Sequence, residues 1–255
     1  MSPTSSTEEC RQTQPAAFSA SEEAAQREEV LITGAAGYLG REVVRWFSST
    51  DCYAITAVVR RHEQFSRVPD ASSIRKVAVE LTDEQAVAAA LQAHYPHQPP
   101  DHVLLLAGGF ALGDIAQSPQ HALRHMMAIN FESAYSVVRV LLPAMLQRGS
   151  GRFIFMGSVA ALEPQTAQRM IAYGLSKSLL IQLAKYINAM AEGTQVAATV
   201  LVPHVIDTPD NRRSMPHADF RQWVKPSHLA ELMHQLCRGA ARGLRQPVLR
   251  VWPQG

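Results

Sequence analysis

The apolar run Val30-Leu31-Ile32-Thr33 leads directly into Gly34-Ala35-Ala36-Gly37-Tyr38-Leu39-Gly40, and a helical pattern follows from about Tyr38 to Ser48. A strand, a glycine-rich turn and a helix in that order commit the chain to a βα unit, and the downstream sequence repeats it. Further strands are expected at Tyr53–Val59, Ile74–Leu81, His102–Leu106, Arg152–Met156, Gln195–Val202 and Pro247–Trp252. Between them lie helical patterns from Asp83 to about His94, over about 120 to 147 (whole or interrupted), around Tyr173 to about Met190, and from about Pro226 to Gly239. Asp83 stands where an acidic cap would. Strands alternating with helices of this length imply parallel βαβ units with right-handed crossovers. The expected fold class is α/β: a single-domain, Rossmann-like, doubly wound parallel seven-stranded sheet with helices on both faces.

Composition narrows the partners. The chain has 255 residues, 47% hydrophobic and 18% charged, enough for one domain with a full core. Lys+Arg 24 against Asp+Glu 22 is too balanced to suggest nucleic acid or an acidic membrane surface. No apolar run approaches the roughly 18 residues that would mark a membrane span. Cys10, Cys52 and Cys237 are odd in number and widely spaced, which points to a reduced, cytoplasmic setting. Residues 1–28 are rich in Ser, Thr, Gln, Glu and Ala and read as a disordered tail, or as a start codon placed too far upstream. Glu22-Glu23 and Glu28-Glu29 are assigned to that solvated tail, and residues 29–255 to the folded domain.

The glycine turn sits where a dinucleotide cofactor would bind. Glycines let backbone approach a pyrophosphate, whose charge then rests on the helix N-terminus. Gly34, Ala36, Gly37, Tyr38, Leu39 and Gly40 are therefore candidate cofactor contacts. The second strand ends Val58-Val59-Arg60-Arg61, with no acid before Glu63. A carboxylate at that place would favour NAD, whereas arginine suits the 2′-phosphate of NADP. NADP(H) is favoured and NAD(H) remains possible.

Tyr173 and Lys177 are four residues apart in a helical run, so the ammonium shares a face with the phenol. A free tyrosine titrates near pH 10, and a neighbouring cation favours its phenolate. The pair is a candidate acid-base device, although such spacing also arises by chance on amphipathic helices.

Together these features resemble the short-chain dehydrogenase/reductase family over about residues 29 to 255. Ala107-Gly108-Gly109 falls where the family has Asn-Asn-Ala-Gly, and Asn130 in Ala128-Ile129-Asn130-Phe131 matches its helix asparagine. Gly157-Ser158 matches its catalytic serine, fifteen residues before Tyr173. Pro203-His204-Val205-Ile206-Asp207-Thr208 resembles its Pro-Gly-x-x-x-Thr stretch. The resemblance implies that Ser158 orients a substrate carbonyl, Tyr173 moves its proton, and Lys177 lowers the tyrosine's pKa and holds the nicotinamide ribose. Asn130 would support a water linking Lys177 to solvent, and Thr208 would hold the carboxamide. Pro203, Val205, Ile206, Glu80, Leu81, Ala107, Gly108 and Gly109 join the implied cofactor contacts. Homodimers or homotetramers through the two long helices are also implied.

A narrower likeness runs to quinonoid dihydropteridine reductases, carried by Ala107-Gly108-Gly109-Phe110, Met170-Ile171-Ala172-Tyr173-Gly174 and Asp207 through Trp223. Those enzymes generally lack the serine, so Ser158 favours a small carbonyl or alcohol as substrate, with pteridine reduction as the alternative. A non-catalytic, dinucleotide-sensing regulator is a third reading, opposed by the intact Ser158, Tyr173 and Lys177. Departures from the family are His204 in place of glycine, the Gly34-x-x-Gly37-x-x-Gly40 spacing, and Glu80-Leu81 where an Asp commonly meets the adenine. Asp207–Trp223 occupies the place of a substrate lid. Met215, Phe220 and Trp223 are either an apolar cover or anchors of that loop, and Arg212 and Arg213 either grip an anion or lie solvated. His121 and His125, four apart, lack a third ligand, and no metal site is assigned.

Overall fold

A computed structural model describes residues 27–241 and 243–253. The tail assigned to residues 1–28 lies almost wholly outside the described residues. In chain order the elements are β1 (Glu28–Thr33), α1 (Tyr38–Ser48), β2 (Tyr53–Val59), β3 (Ile74–Ala78), α2 (Glu84–His94), β4 (His102–Leu105), α3 (Gln120–Met127), α4 (Ser133–Arg148), β5 (Ser150–Met156), the short α5 (Pro164–Ala167), α6 (Ile171–Met190), β6 (Gln195–Pro203), the short α7 (Pro209–Ser214), α8 (Pro226–Cys237) and β7 (Val248–Val251).

All seven strands are parallel, in the order β3-β2-β1-β4-β5-β6-β7. The central strands are near-continuous apolar runs because both faces are covered by helices. Val30, Leu31, Ile32, Leu104, Phe153, Ile154 and Phe155 are fully buried. One core joins the sheet to α2, α4 and α6 through Val87, Leu141, Met145, Leu180 and Ile187. The other joins it to α1 and α8 through Val43, Phe47, Leu229 and Met233. Strand order reverses between β1 and β4, and the crevice outside their carboxyl ends is where such sheets bind ligands.

Several expected boundaries move. Strand β1 starts at Glu28, so Glu28 and Glu29 are not solvated tail: Glu28 N donates to Cys52 O (3.0 Å) and Glu29 N to Asp101 Oδ2 (2.9 Å). The third strand ends at Ala78 rather than Leu81, because its partner β2 ends at Val59 and residues 79–82 turn toward the crevice. Asp83 caps α2 as expected, accepting from the N–H groups of Gln85 and Ala86 at 3.0 Å. The long helical region is interrupted, and its break is a π turn over Ala128–Glu132 rather than the proline, since Pro143 lies inside α4.

The first turn is closed by glycines. Gly34 has φ +66°, and a Cβ there would sit 2.9 Å from backbone atoms of Ala107. A Cβ on Gly40 would lie 2.1 Å from Gly34 O, so α1 can pack this closely on the turn only with hydrogen at that position. Gly40→Ala should therefore lower stability by about 2 kcal/mol. Thermal denaturation should show this as a Tm decrease of roughly 4–8 °C. An unchanged Tm would mean that α1 can shift without penalty.

Candidate active site

A cleft of about 320 Å³ opens at the switch between β1 and β4. Gly34, Ala36 and Gly37 form one wall, and Arg60, Glu80 and Leu81 stand at one end. Ala107 and Gly108 line it beyond the end of β4. Sequence reasoning missed Gln64, Thr82, His125, Ile129 and Ser133, which also line it. A signal existed for two of them: His125 and Ile129 are one helical turn apart, beside Asn130. Of the other predicted contacts, Leu39 packs into the core beneath the turn and Gly40 is buried there. Tyr38 is exposed, with the Arg41 guanidinium over its ring. Arg61 does not line the cleft but faces an adjoining depression with Arg60, His62 and Glu63. The fit to a dinucleotide is good: glycines admit backbone to the cleft wall, the N-terminus of α1 opens there, and Arg60 lines it just beyond β2.

The catalytic candidates do not themselves line this cleft; Asn130 and Lys177 press against its Gly108 wall from behind. Asn130, buried in the π turn, accepts from Gly109 N (2.9 Å) and donates to Gly109 O and Ser176 Oγ (both 3.1 Å). A Cβ on Gly108 would meet Asn130 Oδ1 at 2.4 Å and Lys177 Nζ at 3.3 Å, so the cleft wall is glycine because these two side chains press against it. Lys177 Nζ donates to Met156 O (2.9 Å) and lies 5.9 Å from the centre of the Tyr173 ring. Ser158 Oγ accepts from Ala160 N (3.3 Å) and stands near the Tyr173 hydroxyl, where it favours the phenolate.

Burial raises the pKa of the Tyr173 phenol, and the neighbouring Ser158 hydroxyl opposes that rise. Lys177 is aimed at Met156 O, and burial alone draws its own pKa down to about 8. Asn130 has its carboxamide committed to Gly109 and Ser176, which makes it a positioning residue here.

Beyond β6, Thr208 Oγ1 caps α7 by accepting from Asn211 N (3.2 Å). Pro203 is buried, and Val205 O accepts from Val224 N while Asp207 N donates to Val224 O, both at 2.8 Å. Trp223 is buried against the Phe220 ring and anchors this loop, whereas Met215 stays partly exposed. Arg212 makes two hydrogen bonds to Asp207 (2.6 and 2.7 Å) and covers the Phe220 ring, and Arg213 pairs with Asp210. Neither is a free anion grip. Phe110 packs edge-on against the Tyr173 ring, with centroids 5.0 Å apart.

Residues 28–219 match the family model for short chain dehydrogenase. The chain belongs to the short chain dehydrogenase family and is an NAD(P)-dependent oxidoreductase. A 2-keto-3-deoxy-L-fuconate dehydrogenase of Xanthomonas campestris pv. campestris is 29% identical over 184 residues, 72% of this chain and 60% of that protein. A dihydropteridine reductase of Dictyostelium discoideum is 26% identical over 213 residues, covering 81% and 86%. A solved oxidoreductase of this family from Burkholderia thailandensis superposes with a TM-score of 0.78 at 25% identity, covering 89% and 91%.

Lys177 gives the clearest pH test. Its folded pKa, about 8, lies below the ordinary lysine value near 10.4, so burial of the charged form opposes folding at all pH below 8. That penalty is relieved between pH 8 and about 10.4, where the unfolded chain binds more protons. Lys177→Met should unfold about 2 kcal/mol later than the parent at pH 7, after allowing for the lost bond to Met156 O. The gap should close as pH rises through that window. Denaturant titrations at pH 7, 8 and 10 measure it, and a variant less stable at pH 7 would contradict the assignment.

Proposed function

We propose that this chain moves a hydride between NADPH and a small uncharged carbonyl or alcohol, with Tyr173 as the acid-base group. The observation that carries the reading is buried Lys177 pressed with Asn130 against the Gly108 wall of the cleft, its Nζ 5.9 Å from the centre of the Tyr173 ring. Nicotinamide supplies the hydride when bound, and the rest of the chemistry belongs to the side chains. A carbonyl oxygen placed between Ser158 and Tyr173 would accept from both hydroxyls, and the Tyr173 proton would pass to it as charge develops. The raised phenol pKa keeps that proton in place at neutral pH for the reductive direction. Lys177, on the same helical face, would hold the nicotinamide ribose and replenish the proton. Arg60 at the far end of the cleft supports NADPH over NADH.

Pteridine reduction is the second reading, favoured by the Phe110 ring against Tyr173, a flat wall suited to a planar heterocycle, and by the similarity to the Dictyostelium dihydropteridine reductase. The exposed Tyr135 on α4 and Leu175, Leu179, Tyr186 and Met190 on α6 support a homodimer or homotetramer formed through these helices. Cys52 and Cys237 are free thiols, in keeping with a cytoplasmic setting.

Tyr173→Phe should reduce kcat by about 10²–10⁴-fold while leaving the Kd for NADPH unchanged. Stopped-flow oxidation of NADPH with simple ketones and with quinonoid dihydropterin, alongside fluorescence titration of NADPH, measures both. Full turnover in Tyr173→Phe would remove the tyrosine from the mechanism. Phe110→Ala should raise KM for the dihydropterin more than for acyclic ketones if the planar substrate is the physiological one; an equal rise in both would reject the pteridine reading.

A further inference from the structure

Arg60 does not stand alone at the end of β2. Its Nε donates to Glu80 Oε2 at 2.6 Å, joining the ends of two adjacent strands. The other carboxylate oxygen, Oε1, accepts from Thr82 Oγ1 (2.9 Å) and Thr82 N (3.3 Å), so Glu80 is held in place from two sides. Gln64 Oε1 accepts from the backbone N–H groups of Arg60 and Arg61 (3.0 and 3.1 Å), which fixes the turn that presents the arginine. Among the described residues the terminal nitrogens of Arg60 make no hydrogen bond. Arg60, Glu80, Gln64 and Thr82 all line the cleft, so a carboxylate and a guanidinium face the same end of it together.

We propose that Glu80 is the residue that tempers cofactor discrimination, acting as an internal counter-ion that withholds part of the Arg60 charge from a 2′-phosphate. This rests on the NADPH reading above. A phosphate on the free terminal nitrogens of Arg60 would lie about 6 Å from the Glu80 carboxylate, where like charges still repel in a water-exposed site. A ribose 2′-hydroxyl in the same place carries no charge and is not repelled by Glu80, whose carboxylate can accept a hydrogen bond from it. The pair therefore narrows the gap between NADPH and NADH that a bare arginine would open. Its hydrogen bonds to Arg60 and Thr82 hold the Glu80 carboxyl below its ordinary pKa, so the counter-ion persists throughout the neutral range.

Glu80→Gln tests this, because the amide oxygen can still accept from Thr82 while the charge is gone. Fluorescence titrations of NADPH and NADH, and calorimetric titrations of adenosine 2′,5′-bisphosphate and ADP, are compared in parent and variant. Glu80→Gln should tighten NADPH and adenosine 2′,5′-bisphosphate about fivefold and move NADH and ADP less than about twofold. Weaker binding of the 2′-phosphorylated pair would make Glu80 a positioning partner for Arg60 and overturn the proposal. No change, or an equal change in all four ligands, would overturn it too. Arg60→Ala separates the two levels of argument. If it leaves NADPH binding intact, the NADPH reading itself fails. If it weakens NADPH while Glu80→Gln changes nothing, only the role given to Glu80 fails.

Discussion

The carboxamide of Asn130 is the knot on which the site depends. It bonds both backbone groups of Gly109 and the hydroxyl of Ser176, tying the end of β4 to the π turn and to α6. The π turn makes this reach possible: Ser133 N bonds back to Ala128 O, widening the helix by one residue just where Asn130 must enter the interior. With 1% of its surface exposed, the amide would be left unsatisfied if any of these partners moved, at about 1–3 kcal/mol for each polar group. Three elements are thereby held in one register, and Lys177 and Tyr173, carried by α6, inherit it. The lack of a side chain at Gly108 follows from the same knot, because Asn130 and Lys177 occupy the space a Cβ would need.

That arrangement puts an ammonium where water is scarce. Lys177 is 5% exposed and its Nζ is bonded to Met156 O. A lysine buried this deeply opposes folding in its charged form, and the large apolar cores on both sheet faces are what the chain sets against it. The sheet supplies rigidity at the same point, since Met156 ends β5 and is paired with Leu201 of β6. Lys177 is not the only buried polar group, since Asn130, Arg152 and Ser176 are buried too, but burial alone draws its pKa down to about 8.

Much of this was legible in the sequence, for reasons that also explain what was not. Buried parallel strands are unbroken apolar runs, so Phe153-Ile154-Phe155-Met156 and Val200-Leu201-Val202 could be read directly. Strand ends could not, because Glu28, Glu29 and Val79–Leu81 are placed by hydrogen bonds to distant residues rather than by their own character. The glycine turn and the helix spacing of Tyr173 and Lys177 are local, and both appear where expected. The π turn is invisible to pattern reading, since Ala128–Glu132 has no composition that separates α from π. Whether Trp223 covers substrate or anchors the loop depends on which way the chain folds back, and the Ile206–Val224 bridge settles it as an anchor. The pairing of Arg60 with Glu80 spans twenty residues and required the register of β2 and β3.

The mouth of the site follows from how its charges are spent. In the loop after β6, each arginine is matched to an aspartate of the same segment: Arg212 with Asp207, Arg213 with Asp210 and Arg221 with Asp219. Such exposed pairs contribute little stability. Opposite them, Phe110 and Leu112 are exposed on a loop that is pinned to the start of α6, where Gly113 N bonds Arg169 O and Ile171 N bonds Gly113 O. The pin explains why the Phe110 ring rests on Tyr173 instead of swinging into solvent. The arginines of this loop are thus paired within it and the wall that meets Tyr173 is aromatic, whereas the paired Arg60 and Glu80 lie in the lining of the cleft beyond β2 and β3.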